Sequence, residues 1–356
     1  MTASVTWEDP QLAEFHSALC KSRRIIAVLG AGLSVASGLP TYRGAGSTGL
    51  WRNHDATQIA TPAAFRHDPG LVWQYTSHMR RLALAAAPND AHYALAELAR
   101  RVPSFVTLSQ NIDNLSPRAG HPADQLKLLH GNLFNLRCAD EKCGYVERGN
   151  FQDPITPALA PLLDDQKSSV MGQGHGTKRP KATAWLLEGI ARKNRQIMGA
   201  GYQEAADSRA DQAALKSGHG NESIESRMAA VPEPSNLSPA DLPQCPRCAT
   251  SLLRPNIVWF GEALPADLMA EVDAMFHNAE PIDLCLVIGT SGSVWPAAGY
   301  ADLARKKGAR IATVNIDISD IKNVRPGVDW VFAGDAAAIV PRLFEPLIQK
   351  SGNGAP

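Results

Sequence analysis

The stretch that decides the fold is GAGLSVASGLPTYRG, residues 30–44. Before it stands IIAVL at 25–29, apolar without a break, which reads as a buried strand. A strand that runs into Gly-Ala-Gly and opens a helix ordinarily cradles the phosphates of a dinucleotide. The third glycine of G-x-G-x-x-G is absent, however: Val35 holds its place and Ala36 follows. The loop carries Ser34 and Ser37 instead, and ends in Pro40, Tyr42 and Arg43.

Similar runs recur along the chain. SFVTLSQNID (104–113), LCLVIGTS (284–291), ARIATVNID (309–317) and DWVFAGD (329–335) are apolar on nearly every residue and then turn polar or glycine-rich. Strands of this kind are covered on both faces, as in a parallel sheet. Helical patterns lie between them: DLMAEVDAMF puts Leu268, Val272, Met275 and Phe276 on one stripe, and AHYALAELARR (91–101) does the same with Leu95 and Leu98. Alternating β and α predicts a doubly wound, Rossmann-like α/β sheet, whose ligands sit beyond the carboxyl ends of the strands. The clusters Gly30–Gly32, Gln110–Asp113, Gly289–Ser291 and Asn315 all fall at such ends.

The chain has 356 residues, 44% of them hydrophobic, enough for one large domain or a domain with a lobe. With 35 Lys+Arg against 35 Asp+Glu, the charge balance argues against a protein that lives on phosphate-backbone attraction, so no direct nucleic-acid partner is expected. No apolar run reaches the roughly 18 residues of a membrane span. The opening MTASVTWEDPQLAEF carries Glu8, Asp9 and Glu14 and reads as neither a signal peptide nor a mitochondrial presequence. A soluble intracellular protein is expected, nuclear or cytoplasmic. Lys178-Arg179 followed by Arg192-Lys193-Asn194-Arg195 has the two-cluster spacing of a nuclear import signal, which solvated loops also show.

Four of the six cysteines are grouped, as Cys138-x4-Cys143 and Cys245-x2-Cys248. Each pair forms a knuckle whose thiolates face one ion, so together they predict a tetrahedral zinc site, with disulfides or ordinary buried thiols as the alternatives. Cys20 and Cys285 have no such partner. Four protein ligands leave no position for a reactive water, so the zinc is expected to be structural. The cysteines lie mid-chain. They therefore predict a zinc-binding lobe, 138–248, inserted into a discontinuous domain of residues 12–137 and 249–346. The segment from about 165 to 240, rich in Gly, Ser, Gln, Asp and Lys, buries too little apolar surface to offset its ordering entropy, and most of it is expected to be disordered.

These motifs together resemble the sirtuins, the NAD-dependent protein lysine deacylases. The opening loop resembles their GAG-x-S-x-x-SG-x-P-x-[FY]-RG signature. SQNID (109–113) is similar to their T-Q-N-I-D, LLHGNL (128–133) to their L-H-G segment, and GTSGSVWPAA (289–298) to their second nucleotide loop. LRPNIVWFGEALP (253–265) resembles their acyl-peptide channel strand. Order and spacing agree from about 12 to 346 apart from the enlarged lobe, and the details point to the class III branch, which includes desuccinylases. One departure is Asn114-Leu115-Ser116, where the family has Gly-Leu-His.

The resemblance implies roles. Gly30, Ala31 and Gly32 approach the pyrophosphate; Ser34 binds phosphate or caps a turn. Tyr42, on a short mobile flap, shields the reacting ribose carbon, and Arg43 contacts phosphate. Gln110 and Asn111 serve the ribose and an ordered water, Asp113 the nicotinamide amide. Gly289, Thr290 and Ser291 hold phosphates, Asn315 the adenosine ribose, and Ala336 the adenine rim. His130 is the general base, suited to the task because imidazole takes a proton near neutral pH. Val258, Phe260, Gly261 and Glu262 line the peptide channel. NAD is consumed: the acyl oxygen attacks the ribose carbon as nicotinamide leaves, His130 draws a proton through the ribose hydroxyls, and water releases lysine and O-acyl-ADP-ribose. Partners are acyl-lysine proteins, histone or non-histone, and mono-ADP-ribosyl transfer is the nearest rival reaction.

Class III members grip acidic acyl groups with Tyr-x-x-Arg after the Val-Trp element. An ungapped count from Val72-Trp73 puts Thr76 and Met79 at those places. That exchange predicts an apolar pocket and removal of acetyl or short apolar acyls rather than succinyl. A one-residue slip, bringing in Arg80, predicts a desuccinylase or demalonylase instead.

Overall fold

The structure is a computed structural model that describes residues 10–41, 50–51, 54–160, 235–277, 280–319, 321 and 324–348. Tyr42, Arg43, both basic clusters and residues 165–234 of the expected disordered segment lie outside the described residues. The strands are β1 (Ile25–Leu29), β2 (Leu50–Trp51), β3 (His54–Asp55), β4 (Val106–Ser109), β5 (Leu126–Leu128), β6 (Gly131–Cys138), β7 (Val146–Glu147), β8 (Leu253–Ile257), β9 (Leu284–Ile288), β10 (Arg310–Asn315) and β11 (Trp330–Ala333). The helices are α1 (Pro10–Lys21), α2 (Ala56–Ile59), α3 (Pro62–His67), α4 (Pro69–Ala85), α5 (Asp90–Arg101), α6 (Leu115–Arg118), α7 (Ala266–His277), α8 (Tyr300–Lys306) and α9 (Ala336–Ile348).

Six strands form a parallel sheet in the order β11-β10-β9-β1-β4-β5. The unbroken apolar run of β1 is explained by its two covered faces. Ile25, Ala27 and Leu29 join α1, α5 and α9 in one core, while Ile26 and Val28 join α7 and α8 in another. The chain leaves β1 toward β4 and β5, then returns to the other side of β1 for β9, β10 and β11. That reversal opens a crevice at the carboxyl ends of β1, β4 and β9, the usual ligand position in such sheets.

A second, antiparallel sheet has the order β7-β6-β8. It begins at Gly131 and closes at Ile257, so the small lobe reaches beyond the 138–248 marked out by the cysteines. Its core also takes in residues expected to belong to the large domain. Ile59, Phe65, Val72 and Trp73 from α2–α4 pack with Leu136, Leu253 and Trp259. The Trp73 indole N–H donates to Leu253 O at 3.0 Å, tying α4 to β8. Asp68 starts α4 by accepting from Leu71 N at 2.8 Å, and it also accepts from Ser235 N at 2.8 Å. At the edge of the segment expected to be mostly disordered, the Asp68 carboxylate anchors Ser235, and Pro239–Asp241 form a 3-10 turn.

Candidate active site

The two glycine loops interlock. Gly30 N and Gly32 N donate to Ile288 O and Gly289 O at 2.9 and 2.8 Å, and Gly289 N donates to Val314 O at 2.9 Å. A Cβ on Gly32 would stand 2.7 Å from Gly289 Cα, and one on Gly289, where φ is +63°, would stand 2.3 Å from Leu33 N. These glycines are required first by the approach of one loop to the other. Residues Ala31–Ser37 make a 3-10 turn, ended by Gly38 at φ 84°, and not the α-helix expected after the loop. A left-handed glycine and then Pro40 stop the turn before an α-helix and its dipole can develop.

Beyond β4, the polar run folds back on this turn. The Ser34 hydroxyl donates to Asp113 Oδ2 at 2.7 Å, and Leu115 N donates to Asp113 Oδ1 at 2.8 Å. Asn111 Nδ2 reaches Ser34 Oγ at 3.4 Å. The Ser34 hydroxyl is thus engaged by Asp113, and the cap of the turn is Gly30. Burial pushes the Asp113 carboxyl above its ordinary pKa, against the pull of those donors. Gln110 Nε2 donates to Thr290 Oγ1 at 3.1 Å, and Asn315 Nδ2 to Thr290 O at 3.3 Å, so three strand ends meet at Thr290. Ser291 pairs with Ser293 at 2.7 Å. Ala336 is 4% exposed, with its methyl in the core; only its backbone remains for a ligand, against its expected place on a rim.

His130 stands between β5 and β6. Its Nδ1 lies 3.0 Å from Gln110 O, an atom that can only accept, so the proton is on Nδ1 and Nε2 keeps its lone pair. Burial holds the imidazole below its ordinary pKa, more than the bond to Gln110 O raises it. The ring is neutral and able to accept a proton at Nε2. Sequence reasoning missed His92, which lies behind Ser34. It forms a capping box with Asn89 at the start of α5, and burial pushes its pKa down to about 3. Its Nδ1 accepts from Asn89 N, so Nε2–H points to Ser34 Oγ at 3.5 Å. The spacing Asn89-x-x-His92 was the available signal.

Next to this cluster is a cavity of about 20 Å³, lined by Ala60, Val72, Tyr75, Thr76 and Met79, with Ile112, Leu133, Ile257 and Trp259. Thr76 and Met79 occupy the positions reached by the ungapped count. Arg80 does not. It is 1% exposed and donates to Leu133 O, Asn150 O, Asn150 Oδ1 and Gln152 O at 2.7–3.0 Å. Burial draws its pKa down to about 10, which leaves it cationic at neutral pH and held by carbonyls.

Beyond β8 runs the segment 258–262. The strand ends at Ile257, and only Val258 continues its pairing, donating to His130 O at 2.9 Å. Phe260 is exposed, with its N–H donating to Ala60 O at 2.9 Å. Gly261 turns at φ 86°. Glu262 faces inward and accepts from Arg254 at 2.6 and 2.8 Å.

The four cysteine sulfurs lie within 4.8 Å of one another, with Cys138–Cys248 at 3.8 Å and Cys143–Cys245 at 3.7 Å. A tetrahedron with Zn–S near 2.3 Å has edges of about 3.8 Å, so the donor set fits zinc. Cys138, Cys143, Cys245 and Cys248 would hold one ion with no open position.

Residues 30–166 and 211–296 match the model of the Sir2 family. The chain belongs to the Sir2 family. Among its Sir2 relatives, an NAD-dependent protein deacylase of Candida albicans is 41% identical over 96% of this chain and 99% of its own length. One from Pyrococcus furiosus is 32% identical over 94% and 98%. The NAD-dependent protein deacylase sirtuin-5, mitochondrial, of Xenopus tropicalis is 34% identical over 86% and 77%. The crystal structure of a Sir2 homolog–NAD complex covers 99% of this chain and 97% of its own at 25% identity, with a TM-score of 0.60.

Proposed function

We infer that this Sir2 chain is an NAD-dependent protein lysine deacylase. The observation that carries the reading is His130, neutral, with Nδ1 committed to Gln110 O and Nε2 free to take a proton beside the polar ends of β1, β4 and β9. When bound, NAD supplies a ribose carbon made electrophilic by its cationic nicotinamide. The residues do the rest. Gln110, Asn111 and Thr290 offer polar groups to the ribose side of the crevice. Asp113, with one donor already on each oxygen, presents its remaining lone pairs to a carboxamide N–H. His130 accepts a ribose hydroxyl proton at Nε2, and the fixed tautomer means no ring flip precedes transfer. The cysteine site contributes folding stability and no chemistry at the crevice.

The acyl group we propose is acetyl or a short apolar chain. Its support is the cavity lining, which among the described residues contains no charged side chain, and the burial of Arg80 among carbonyls. The test is mass spectrometry of acetyl-, butyryl-, crotonyl- and succinyl-lysine peptides with NAD. One nicotinamide per lysine uncovered is expected, and no turnover in His130→Ala with zinc intact. Nicotinamide release with ADP-ribose left on a protein, and no lysine uncovered, would assign the transfer reaction instead.

A further inference from the structure

The turn Trp259-Phe260-Gly261-Glu262 contributes Trp259 to the lining of the acyl cavity. Glu262 accepts from Arg254 Nη1 and Nη2 at 2.6 and 2.8 Å, a two-pronged fork, and its Oε2 also accepts from Trp259 N at 2.9 Å. The Arg254 guanidinium carbon lies 3.3 Å from the Trp259 ring centroid. Phe65 meets the same indole with centroids 5.2 Å apart. Arg254 Nη2 also donates to Ile257 O at 3.2 Å, so the clamp grips a second cavity residue through its backbone. Gly261, at φ 86°, permits the reversal that brings Glu262 back. Arg254 is 6% exposed, and Arg137 adds a third charge at 3.6 Å from Glu262. A buried ion pair of this kind is a poor source of net stability, because desolvation offsets much of its attraction. What it can supply is a fixed position for the ring it stacks on.

We propose that the Arg254–Glu262 pair is a positioning element for the acyl cavity, holding the Trp259 indole as a rigid wall and so limiting the length of acyl chain accepted. The proposal rests on the deacylase reading. The cavity is small, about 20 Å³ among the described residues, so the placing of its walls bears on how long an acyl chain it admits. Met79 has a flexible side chain that can shift, whereas Trp259, stacked and tethered, cannot. Among the described residues the clamp makes no hydrogen bond to the glycine loops and meets His130 only through the backbone of Val258, whose N–H donates to His130 O at 2.9 Å, so its loss should act on acyl length before NAD binding.

The experiment compares wild type, Glu262→Gln, Arg254→Lys and Trp259→Phe. Glu262→Gln keeps an acceptor for Trp259 N and loses the charge; Arg254→Lys keeps the charge and loses the planar fork. For each, kcat and KM are measured for NAD and for acetyl-, butyryl- and hexanoyl-lysine peptides, beside zinc content and Tm. The expected result is a rise of at least about threefold in the hexanoyl-to-acetyl ratio of kcat/KM, part of the roughly 10–200-fold that one methylene decides in a tight pocket. KM for NAD should hold in Glu262→Gln, and Trp259→Phe should shift the ratio in the same direction. An unchanged ratio in Glu262→Gln and Trp259→Phe, with or without lower Tm, would overturn the proposal, since a merely structural clamp moves stability alone. Should Arg254→Lys lose its zinc, the other two variants decide. Absence of deacylation by the wild type on every peptide would refute the activity itself, a different failure.

Discussion

Met79→Arg should turn the cavity toward acidic acyl groups. In the present chain a succinyl carboxylate would arrive among Ala60, Ile112, Leu133, Met79 and Trp259, with the Thr76 hydroxyl as the only polar side chain from α4 apart from that of Tyr75. Arg80, one residue along, would have to abandon four acceptors to reach it. A charge-assisted hydrogen bond contributes roughly 1.5–3 kcal/mol. Its absence therefore lowers the succinyl-to-butyryl ratio of kcat/KM by roughly 10- to 150-fold. Met79→Arg should recover a large part of that factor and reduce butyryl turnover, at a cost of about 1–3 kcal/mol for overfilling a cavity this small. Adding Thr76→Tyr would overfill it further, so the single variant is the cleaner probe. The assay is nicotinamide release at saturating NAD on acetyl, butyryl and succinyl peptides, with Tm alongside. If the unmodified protein prefers succinyl-lysine, the assignment of Thr76 and Met79 is wrong. If Arg80→Met then abolishes that preference without loss of Tm, the buried guanidinium is not held as its bonds indicate.

With His130 required neutral and its pKa held down by burial, kcat/KM should rise with pH and level off below the ordinary imidazole value; a limb centred above about 6.5 would contradict this. Stability has the same sign. His92 and His121 are pushed by burial to about 3 and about 4, so below about pH 6.5 the unfolded chain takes up protons first. The free energy of unfolding should then drop with acidification by up to about 1.4 kcal/mol per pH unit per histidine, read as a steadily falling Tm, and less so in His121→Asn. Cys245→Ser should lose its zinc and melt the small lobe, measured as metal stoichiometry and Tm; a zinc-free protein with the wild-type Tm would remove the structural assignment. Gly38→Ala and Gly289→Ala both place a side chain at positive φ, costing about 1–2 kcal/mol each. Only at Gly289 would the methyl also meet backbone, so that variant alone should raise KM for NAD; equal effects would refute the interlock.

The sheet was legible because each of its long strands is covered on both faces, which leaves an uninterrupted apolar run with a polar end. β5, with three residues and half-buried sides, gave no such run and had to come from the structure. The cysteines, His130 and the clusters at Gln110 and Thr290 were readable because their chemistry is local to a few positions. The α-helix expected after Gly32 was not formed, and Gly38 with Pro40 had carried that warning. Less could be read of the cavity. Ala60, Ile112, Leu133 and Trp259 come from four separate segments, and nothing in the residue types says that they meet.

Glu262 illustrates why. A carboxylate after Phe-Gly reads equally well as a ligand at a channel mouth or as an anchor turned inward. What decides is an arginine eight residues earlier, and only the reversal at Gly261 brings the two together. The consequence reaches the zinc lobe. Arg254 pairs in β8 with Arg137, next to Cys138, and Leu253 pairs with Cys138 itself. Trp259, Leu253 and Cys138 share one core with α4, which carries Thr76 and Met79. The metal site and the acyl cavity are therefore two ends of one packed unit. Loss of zinc should reach acyl selectivity through this core, even though no cysteine lies at the crevice. Mild chelation should accordingly broaden the range of acyl chains accepted before activity disappears, and a loss of all acyl activities in strict parallel would show the two ends to be uncoupled.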